Sequence, residues 1–143
     1  MVWTKDNFVK EGESLSGVIC TVSATYIHGL SNFPPSPLIR YVEWGVYPNT
    51  RRYKYLSPDK TLPLTEDIEH VAGFLYVTNK ERTICDMIIY ESNDEFIYDS
   101  IETYLNLHGT MDTLREYALK YSCVERMEHY LNTLDDYLAE TWY

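Results

Sequence analysis

The sequence predicts an α+β protein in which a small, mainly antiparallel sheet in the N-terminal half packs against about four helices in the C-terminal half. Up to residue 77, short runs of β-branched and aromatic residues alternate with Pro-rich turns. Residues 78–143 instead carry apolar side chains at helical spacings of three and four. The length of 143 residues predicts one domain, with a strand-rich part at 1–77 and an acidic helical part at 78–143.

The N-terminal part is expected to contain a short helix within residues 1–12, which lies outside the residues that the structure describes, a second short helix and several strands. The second helix is predicted over 21–30, with Thr21 or Ser23 as its cap and Gly29 at its end. Three prolines between residues 34 and 37 exclude a continuing helix and predict an extended connector. Strands are predicted at 38–47 and 51–56, and at 68–77 as one bent strand or two. The links between strands are too short for crossovers, which favours antiparallel pairing.

Four helices are predicted in the C-terminal part, near 79–90, 93–107, 111–121 and 123–139. Three of them are preceded by the Ser/Thr-x-x-Glu spacing of a capping box, which begins at Thr78, Ser92 and Ser122. Gly109 is expected to end the second helix and Thr110 to cap the third. The apolar residues predicted on their inner faces are Ile84, Met87, Ile88, Ile97, Ile101, Tyr104, Leu105, Met111, Leu114, Ala118, Tyr121, Val124, Met127, Leu131, Leu134 and Leu138.

Charge is distributed unevenly along the chain. Residues 1–80 contain eight Lys/Arg and eight Asp/Glu, whereas residues 81–143 contain four and fourteen, so the whole net charge of −10 lies in the helical part. This charge repels phosphate groups, which argues against nucleic acid or an anionic membrane as a direct partner. It fits a basic protein partner, and it equally fits good solubility alone.

The sequence shows no motif for catalysis, cofactor binding or metal binding. The three cysteines lack CxxC spacing, the four histidines lie at no metal-ligand spacing, and GxSxG and P-loop motifs are absent. Cys85 lies near a helix start but on an apolar side, so a buried structural thiol is expected. Free thiols suit a reducing cytosol, and no apolar signal region or membrane-spanning stretch is present. We therefore expect a cytoplasmic protein that is not an enzyme.

One charged pair is expected within the helix at 79–90. Arg82 and Asp86 lie four residues apart, which is the spacing of a helical ion pair. A positive charge in a first helical turn opposes the helix dipole, so Arg82 is expected to have a carboxylate partner, either Asp86 or Glu81. A structural role is the favoured interpretation of this pair.

The candidate partner-binding residues lie on or next to the helix predicted at 93–107. Its acidic side chains suit the positive end of the helix dipole or lie opposite the apolar stripe. Side chains three or four residues apart on a helix lie about 5–6 Å from one another, close to phosphate spacing. The surface is therefore either a solvated helix face or one that docks on a basic groove as a phosphate row would. The residues assigned to it are Glu91, Asp94, Glu95, Tyr98, Asp99 and Glu102.

Two segments of the chain resemble the C-terminal domain of AbiEi-type antitoxins. Residues 23–30, SATYIHGL, are similar to the SALxxHGL segment of that family. Residues 77–86, VTNKERTICD, are similar to its v-t-x-x-ERTxxD segment, and the resemblance extends over about residues 18–138. The residues that carry the two motifs are Ser23, His28, Gly29, Glu81, Arg82 and Asp86.

The resemblance implies a bacterial type IV toxin–antitoxin system, in which this domain opposes a nucleotidyltransferase-like toxin and a preceding winged helix represses the operon. Only seventeen residues precede Val18, too few for a winged helix, so DNA binding is not expected to carry over. The expected function is neutralisation of a toxin or effector by a stand-alone antitoxin domain without a cofactor. The alternative is a phage or mobile-element inhibitor of a host nucleic-acid-binding defence complex, comparable to anti-CRISPR proteins. An enzyme is the least favoured class.

Overall fold

The computed structural model describes residues 18–31, 38–41, 53–56, 67–70, 76–90 and 92–141. Within these ranges the chain is α+β, as predicted. The strands are β1 (Val18–Ile19), β2 (Leu38–Tyr41), β3 (Tyr53–Leu56), β4 (Ile68–His70) and β5 (Tyr76–Thr78). The helices are α1 (Thr21–Ile27), α2 (Lys80–Ile89), α3 (Asp94–Asn106), α4 (Met111–Lys120) and α5 (Val124–Thr141). The last four confirm the predicted C-terminal helices, whereas the Pro-rich connector at 34–37 lies outside the described residues.

The described strands form one mixed sheet in the order β3-β2-β1-β5-β4. Strand β1 is antiparallel to β2 and parallel to β5, while β2 pairs with β3 in parallel and β4 with β5 antiparallel. The expectation of mainly antiparallel pairing is therefore wrong for two of these pairs. For β1 and β5 the physical reason is the position of β1, which is too short to show a strand pattern but takes the centre of the sheet and separates β2 from β5. The parallel pairing of β2 with β3 does not involve β1.

Helix α1 is fixed to the sheet by a side-chain hydrogen bond from its own first half. The hydroxyl oxygen of Ser23 accepts the amide hydrogen of Ile39 in β2 at 2.7 Å. The prediction of a Thr21 or Ser23 cap is wrong, because α1 begins after Cys20, which makes no side-chain capping bond. The Ser23 hydroxyl is used for docking the helix instead of capping it.

The end of α1 is the one the sequence predicts. Gly29 has a φ of +73°, a left-handed conformation that glycine adopts without the steric penalty of a side chain. The amide of Leu30 then donates to the carbonyl of Thr25 at 2.8 Å, as in a Schellman turn. This turn places His28 at the end of the helix, close to the edge of the sheet.

Asparagine side chains cap α2 and α3, one residue after the Thr and Ser of the predicted capping boxes. The side-chain oxygen of Asn79 accepts the amide hydrogen of Arg82 at 2.9 Å, and that of Asn93 accepts the amide hydrogen of Glu95 at 2.9 Å. Thr78 cannot cap α2 because it belongs to β5, where it is fully buried. The helix starts are thus nearly as predicted, although the capping residues are not.

Of the two remaining predicted caps, one is confirmed and the other is wrong. Thr110 caps α4 as expected, since its hydroxyl oxygen accepts the amide hydrogen of Thr113 at 3.1 Å. Ser122 does not cap α5, because it has a φ of +59° and follows the last turn of α4. There the amide of Cys123 donates to the carbonyl of Ala118 at 2.9 Å, so Ser122 ends one helix instead of beginning the next.

The hydrophobic core lies among α2, α3, α4 and α5. Side chains from the inner faces predicted for these helices fill it, and one predicted member, Val124, is 42% exposed at the start of α5. Burial of such apolar surface supplies the main free energy that holds the helices together. The most deeply buried of these side chains are Ile84, Met87, Ile88, Ile97, Ile101, Leu114 and Met127.

Candidate functional site

Four of the predicted partner-binding residues lie on α3, and we call them together the acidic surface of α3. Its members Asp94, Glu95 and Asp99 are exposed and Glu102 is half-buried. The apolar stripe of the same helix is buried on the opposite side, so the two sides of α3 are separated as the sequence predicts. Glu91 lies outside the described residues.

Tyr98, which is also among the predicted partner-binding residues, is buried between α3 and α5. Tyr98 is 8% exposed, and its ring stacks on the ring of Tyr137 with the two centroids 4.3 Å apart. It meets Tyr130 edge-on at 5.1 Å, and its hydroxyl group shares a hydrogen bond of 2.6 Å with Thr133. The ring therefore supports the acidic surface of α3 from beneath and exposes little of itself to a partner.

Two tyrosines of α5 donate hydrogen bonds to the acidic surface of α3. The hydroxyl of Tyr130 donates to Oδ1 of Asp94 at 2.5 Å, and that of Tyr137 donates to Oδ1 of Asp99 at 3.4 Å. Burial, and then the bond to Asp94, raise the pKa of Tyr130 to about 12. The phenol thus stays protonated at neutral pH and holds the carboxylate in a fixed orientation.

The surroundings of Asp99 disfavour its negative charge. Partial burial and then the charge of Glu95 raise the pKa of the Asp99 carboxyl, although the hydrogen bond from Tyr137 lowers it. Glu95 and Asp99 are four residues apart, where like charges destabilise a helix. Two carboxylates kept side by side in this way contribute little to folding and fit a role in binding.

A second feature is a cavity of about 540 Å³ between α1, β4, the start of α2 and the end of α3. Its ionisable lining residues are His28, Glu69, Lys80, Glu81 and His108, together with the phenol of Tyr104. His28 and Glu81 belong to the two segments that resemble the antitoxin family. The others carry no sequence signal, because they lie on separate elements that only the folded chain brings together.

His28 is the most tightly held group of the cavity. Its side chain is 6% exposed, and Nε2 lies 2.6 Å from the carbonyl oxygen of Thr78. A carbonyl oxygen only accepts, so Nε2 carries the hydrogen and Nδ1 of the neutral ring is left as an acceptor. Nδ1 faces Oε2 of Glu69 at 3.8 Å.

The other wall of the cavity depends on Tyr104 and a glycine. Burial, followed by the negative charge of the Glu81 carboxylate, raises the pKa of Tyr104 to about 12. Gly109 makes room for the ring, since a Cβ atom at this position would lie 2.3 Å from Cε1 of Tyr104. The left-handed residue after α3 is His108, with a φ of +73°, so Gly109 is needed for close packing and not for the turn itself.

The ion pair predicted within α2 is present, and it lies in the core. Nε of Arg82 is 3.4 Å from Oδ2 of Asp86, and both side chains are fully buried. The Arg82 guanidinium carbon also lies 5.5 Å from the centroid of the Tyr121 ring. These contacts give the pair a structural role, like those of Ser23 and Gly29 in α1.

The thiol groups lie in the core as well. Cys85 is fully buried, as the sequence predicts, and Cys123 is 5% exposed. A hydrogen bond with Cys123, followed by burial, raises the pKa of the Cys85 thiol. Such a thiol is a poor nucleophile at neutral pH. Among the described residues, no group of three or more His, Cys, Asp or Glu is arranged to hold a metal ion.

Comparison with known proteins gives no assignment for this chain. It matches no protein-family model and no curated protein sequence. In the described part of the chain, no helix is both long and apolar enough to cross a membrane. Two features of the described residues therefore bear on function, the acidic surface of α3 and the cavity beside His28.

Proposed function

We propose that this protein is a non-catalytic inhibitor that binds a basic protein through the acidic surface of α3. The observation that carries the proposal is the pair Glu95 and Asp99, two exposed like charges one helical turn apart on α3. Partial burial, followed by the charge of Glu95, raises the pKa of Asp99. Both residues lie in the half of the chain that holds the whole net charge of −10. A partner of opposite charge offsets the repulsion between these two carboxylates. The loss of this repulsion makes the free energy of binding more favourable.

The resemblance to AbiEi-type antitoxins supports a place for this inhibitor in prokaryotic conflict. Under the proposal, the protein acts in the cytoplasm as a stand-alone antitoxin domain and neutralises a toxin or effector stoichiometrically. It uses no cofactor and catalyses no reaction. The buried Arg82 and Asp86 and the docking contact of Ser23 maintain the fold that presents the surface.

The geometry of the same surface also favours a second candidate, inhibition of a nucleic-acid-binding defence complex. Glu95, Asp99 and Glu102 follow one another at intervals of four and three residues along α3. Their side chains are then spaced about 5–6 Å apart, similar to a row of phosphates. In that case the partner's nucleic acid competes with this protein for one groove, whereas a toxin that is neutralised elsewhere shows no such competition.

The proposal is tested by reversing the charge of the acidic surface of α3. The variant D94K/E95K/D99K/E102K is expected to lose inhibition of the partner, measured as growth rescue during co-expression or as restored partner activity. A matched control is E116K/D135K/D136K/E140K, which makes the same change in net charge at exposed positions of α4 and α5. Equal inhibition by both variants would mean that the acidic surface of α3 is a solvated helix face and does not bind the partner.

Asp94 has a structural bond, so a milder pair of variants separates binding from folding. E95K/E102K leaves the bonds from Tyr130 and Tyr137 intact, and E116K/D136K is its control. Circular dichroism checks that each variant is folded. The complex is also expected to weaken between about 50 and 500 mM salt, because exposed charges are screened over shorter distances. A complex that is insensitive to salt contradicts docking through these carboxylates.

The genes next to the gene of this protein identify the candidate partner. A neighbouring nucleotidyltransferase gene favours the antitoxin, and neighbouring phage or plasmid genes favour the defence inhibitor. Each candidate partner is then tested with a nucleic-acid competition assay. Displacement of this protein by nucleic acid supports the second candidate, and an unchanged complex supports the first.

A further inference from the structure

The cavity beside His28 is separate from the acidic surface of α3, and its polar lining contains acceptors from three side chains beside the donor groups of Lys80 and Tyr104. The neutral ring of His28 offers Nδ1, and Glu69 and Glu81 offer carboxylate oxygens. Lys80 contributes the opposite charge, so the carboxylates exceed the ammonium groups by one. The lining thus favours a ligand that donates hydrogen bonds and carries positive charge.

The closest pair of acceptors lies between α1 and β4. Nδ1 of His28 and Oε2 of Glu69 are 3.8 Å apart, and in the neutral form of the ring no hydrogen lies between them. Nδ1 cannot turn away, because Nε2 is anchored at 2.6 Å on the carbonyl oxygen of Thr78 and the side chain is 6% exposed. An N–H group of a ligand would satisfy Nδ1 and the carboxylate together.

We propose that this cavity binds a small organic cation through a primary ammonium or guanidinium group. The group donates to Nδ1 of His28 and to Glu69, and its charge is stabilised by the carboxylates. Ile27 and Leu107 line the cavity as well and provide apolar contacts for an alkyl chain. The volume of about 540 Å³ lies within the range of roughly 300–1,000 Å³ of small-molecule sites. The site acts independently of the partner proposed above.

Lys80 distinguishes a cation site from an anion site. It is the first residue of α2, where the helix dipole is also positive, so an anion such as phosphate would be bound by Lys80 and by this helix end. An organic cation is repelled by the same ammonium group. Removing the charge of Lys80 therefore tightens binding of a cation and weakens binding of an anion.

The test is a titration of the full chain with agmatine at constant ionic strength, followed by ¹H–¹⁵N NMR. Agmatine carries both a guanidinium and a primary ammonium group. The titration is made at about pH 8. Saturable shifts are expected at the amides of His28, Glu69, Lys80 and Glu81. Tetramethylammonium, which has no N–H group, is expected to give none.

Single substitutions separate this site from general attraction to an acidic protein. Glu69→Gln, at a side chain that is 52% exposed, is expected to raise the dissociation constant for agmatine about fivefold. Asp135→Asn makes the same charge change on α5 and is expected to leave it unaltered. His28→Gln keeps a donor for Thr78 but removes Nδ1, and it also weakens binding. Lys80→Ala is expected to tighten binding roughly twofold.

Two results would overturn the proposal. One is a set of agmatine shifts that spread along α3 and α5 without saturation and are unchanged in Glu69→Gln, which shows general charge attraction only. The other is a saturable response to inorganic phosphate that disappears in Lys80→Ala, which shows an anion site. Since Glu69 is on a short strand at the sheet edge and half-exposed, its substitution keeps the test valid even if His28→Gln fails to fold.

Discussion

The phenol of Tyr121 donates a hydrogen bond to Oδ2 of Asp67, which connects the end of α4 to the residue that precedes strand β4. The same carboxylate oxygen accepts from Nζ of Lys120 at 2.7 Å. The backbone of Asp67 takes part too, because its carbonyl accepts the amide hydrogen of Asn79 at 2.8 Å. One aspartate thereby ties the sheet edge to α4 and to the start of α2, and with them to the walls of the cavity.

Asp67→Asn is expected to destabilise the protein at neutral pH and to have little effect in acid. Burial acts to raise the pKa of Asp67, but the hydrogen bonds from Lys120 and Tyr121 outweigh it, so the pKa lies below its ordinary value. A lowered pKa in the folded state means that this stabilisation is present above about pH 4 and is lost as pH falls through the folded value. Urea unfolding at neutral and acidic pH measures the difference.

Asparagine is suitable for this test because Asp67 has a φ of +56°, which asparagine tolerates better than most residues. Asp135→Asn on the exposed side of α5 is the control and is expected to shift the urea midpoint little at either pH. A destabilisation by Asp67→Asn that persists undiminished in strong acid would show that the effect is one of packing and not of the ionised carboxylate.

Asp86→Ala is expected to lower the free energy of unfolding by about 3–5 kcal/mol, because it removes a buried carboxylate that lies 3.4 Å from the buried guanidinium of Arg82. The double variant R82M/D86L, which removes both charges, is expected to recover a substantial part of this loss. Urea denaturation followed by circular dichroism measures both variants. If the double variant is no more stable than Asp86→Ala, the two side chains do more for the fold than neutralise each other's charge.

A matched control for the buried pair exists on the surface. Nε of Arg115 lies 2.7 Å from Oε1 of Glu128, and the Arg115 side chain is 43% exposed. Glu128→Ala is expected to change the free energy of unfolding little, since water screens this pair and Arg115 keeps its contact with Asp112. The surface pair is the shorter of the two, at 2.7 Å against 3.4 Å, so the larger expected effect at the buried pair comes from burial and not from distance.

The helical half was predictable from the sequence because its information is local. Apolar spacing located α2 to α5 and the spacing of Arg82 and Asp86 located their ion pair. The sheet was less predictable, since β1 consists of two residues whose place at the centre depends on contacts with distant segments. The prediction of Thr78 as the cap of α2 was wrong for a similar reason. Thr78 is the last residue of strand β5, so the next residue, Asn79, caps the helix.

The two candidate sites differ in the same respect. The acidic surface of α3 could be located because its charges follow one another on one helix. The cavity could not, because Glu69, Lys80 and His108 come from three elements and no spacing relates them. Burial of Tyr98 also had no local sign, since an aromatic residue next to carboxylates suits a surface and an interhelical contact equally well.

Gly109→Ala is expected to destabilise the protein by about 1–3 kcal/mol through overpacking against the Tyr104 ring. The substitution is expected to be much less harmful in a Tyr104→Leu background, because the smaller side chain leaves space for the added methyl group. A double-mutant cycle measured by urea unfolding gives this coupling.

Gly29→Ala serves as the comparison, because a Cβ atom at that position meets no atom within 4 Å but the φ of +73° is strained for alanine. Its destabilisation, roughly 1–2 kcal/mol, is expected to be the same with or without Tyr104→Leu. If Tyr104→Leu rescued both glycine variants equally, the close approach of Tyr104 to Gly109 would not be the cause.

Asp99→Asn is expected to stabilise the fold at neutral pH while weakening inhibition of the partner. Burial and the charge of Glu95 raise the pKa of Asp99, so the ionised form disfavours the folded state at pH values above its ordinary pKa. The gain from asparagine is therefore present at neutral pH and disappears as pH falls below that ordinary value, where the carboxyl is protonated in both states. Urea midpoints across this range and an inhibition assay at neutral pH measure the two effects.

Tyr137→Phe is the control that separates charge from hydrogen bonding at this position. It removes the phenol that donates to Asp99 at 3.4 Å but retains the ring stacked on Tyr98 and the carboxylate charge. Inhibition is expected to survive in Tyr137→Phe and to weaken in Asp99→Asn. An Asp99→Asn variant that is more stable and still fully inhibitory would remove Asp99 from the binding surface, whereas opposite changes in stability and inhibition would show that the helix keeps this charge for its partner.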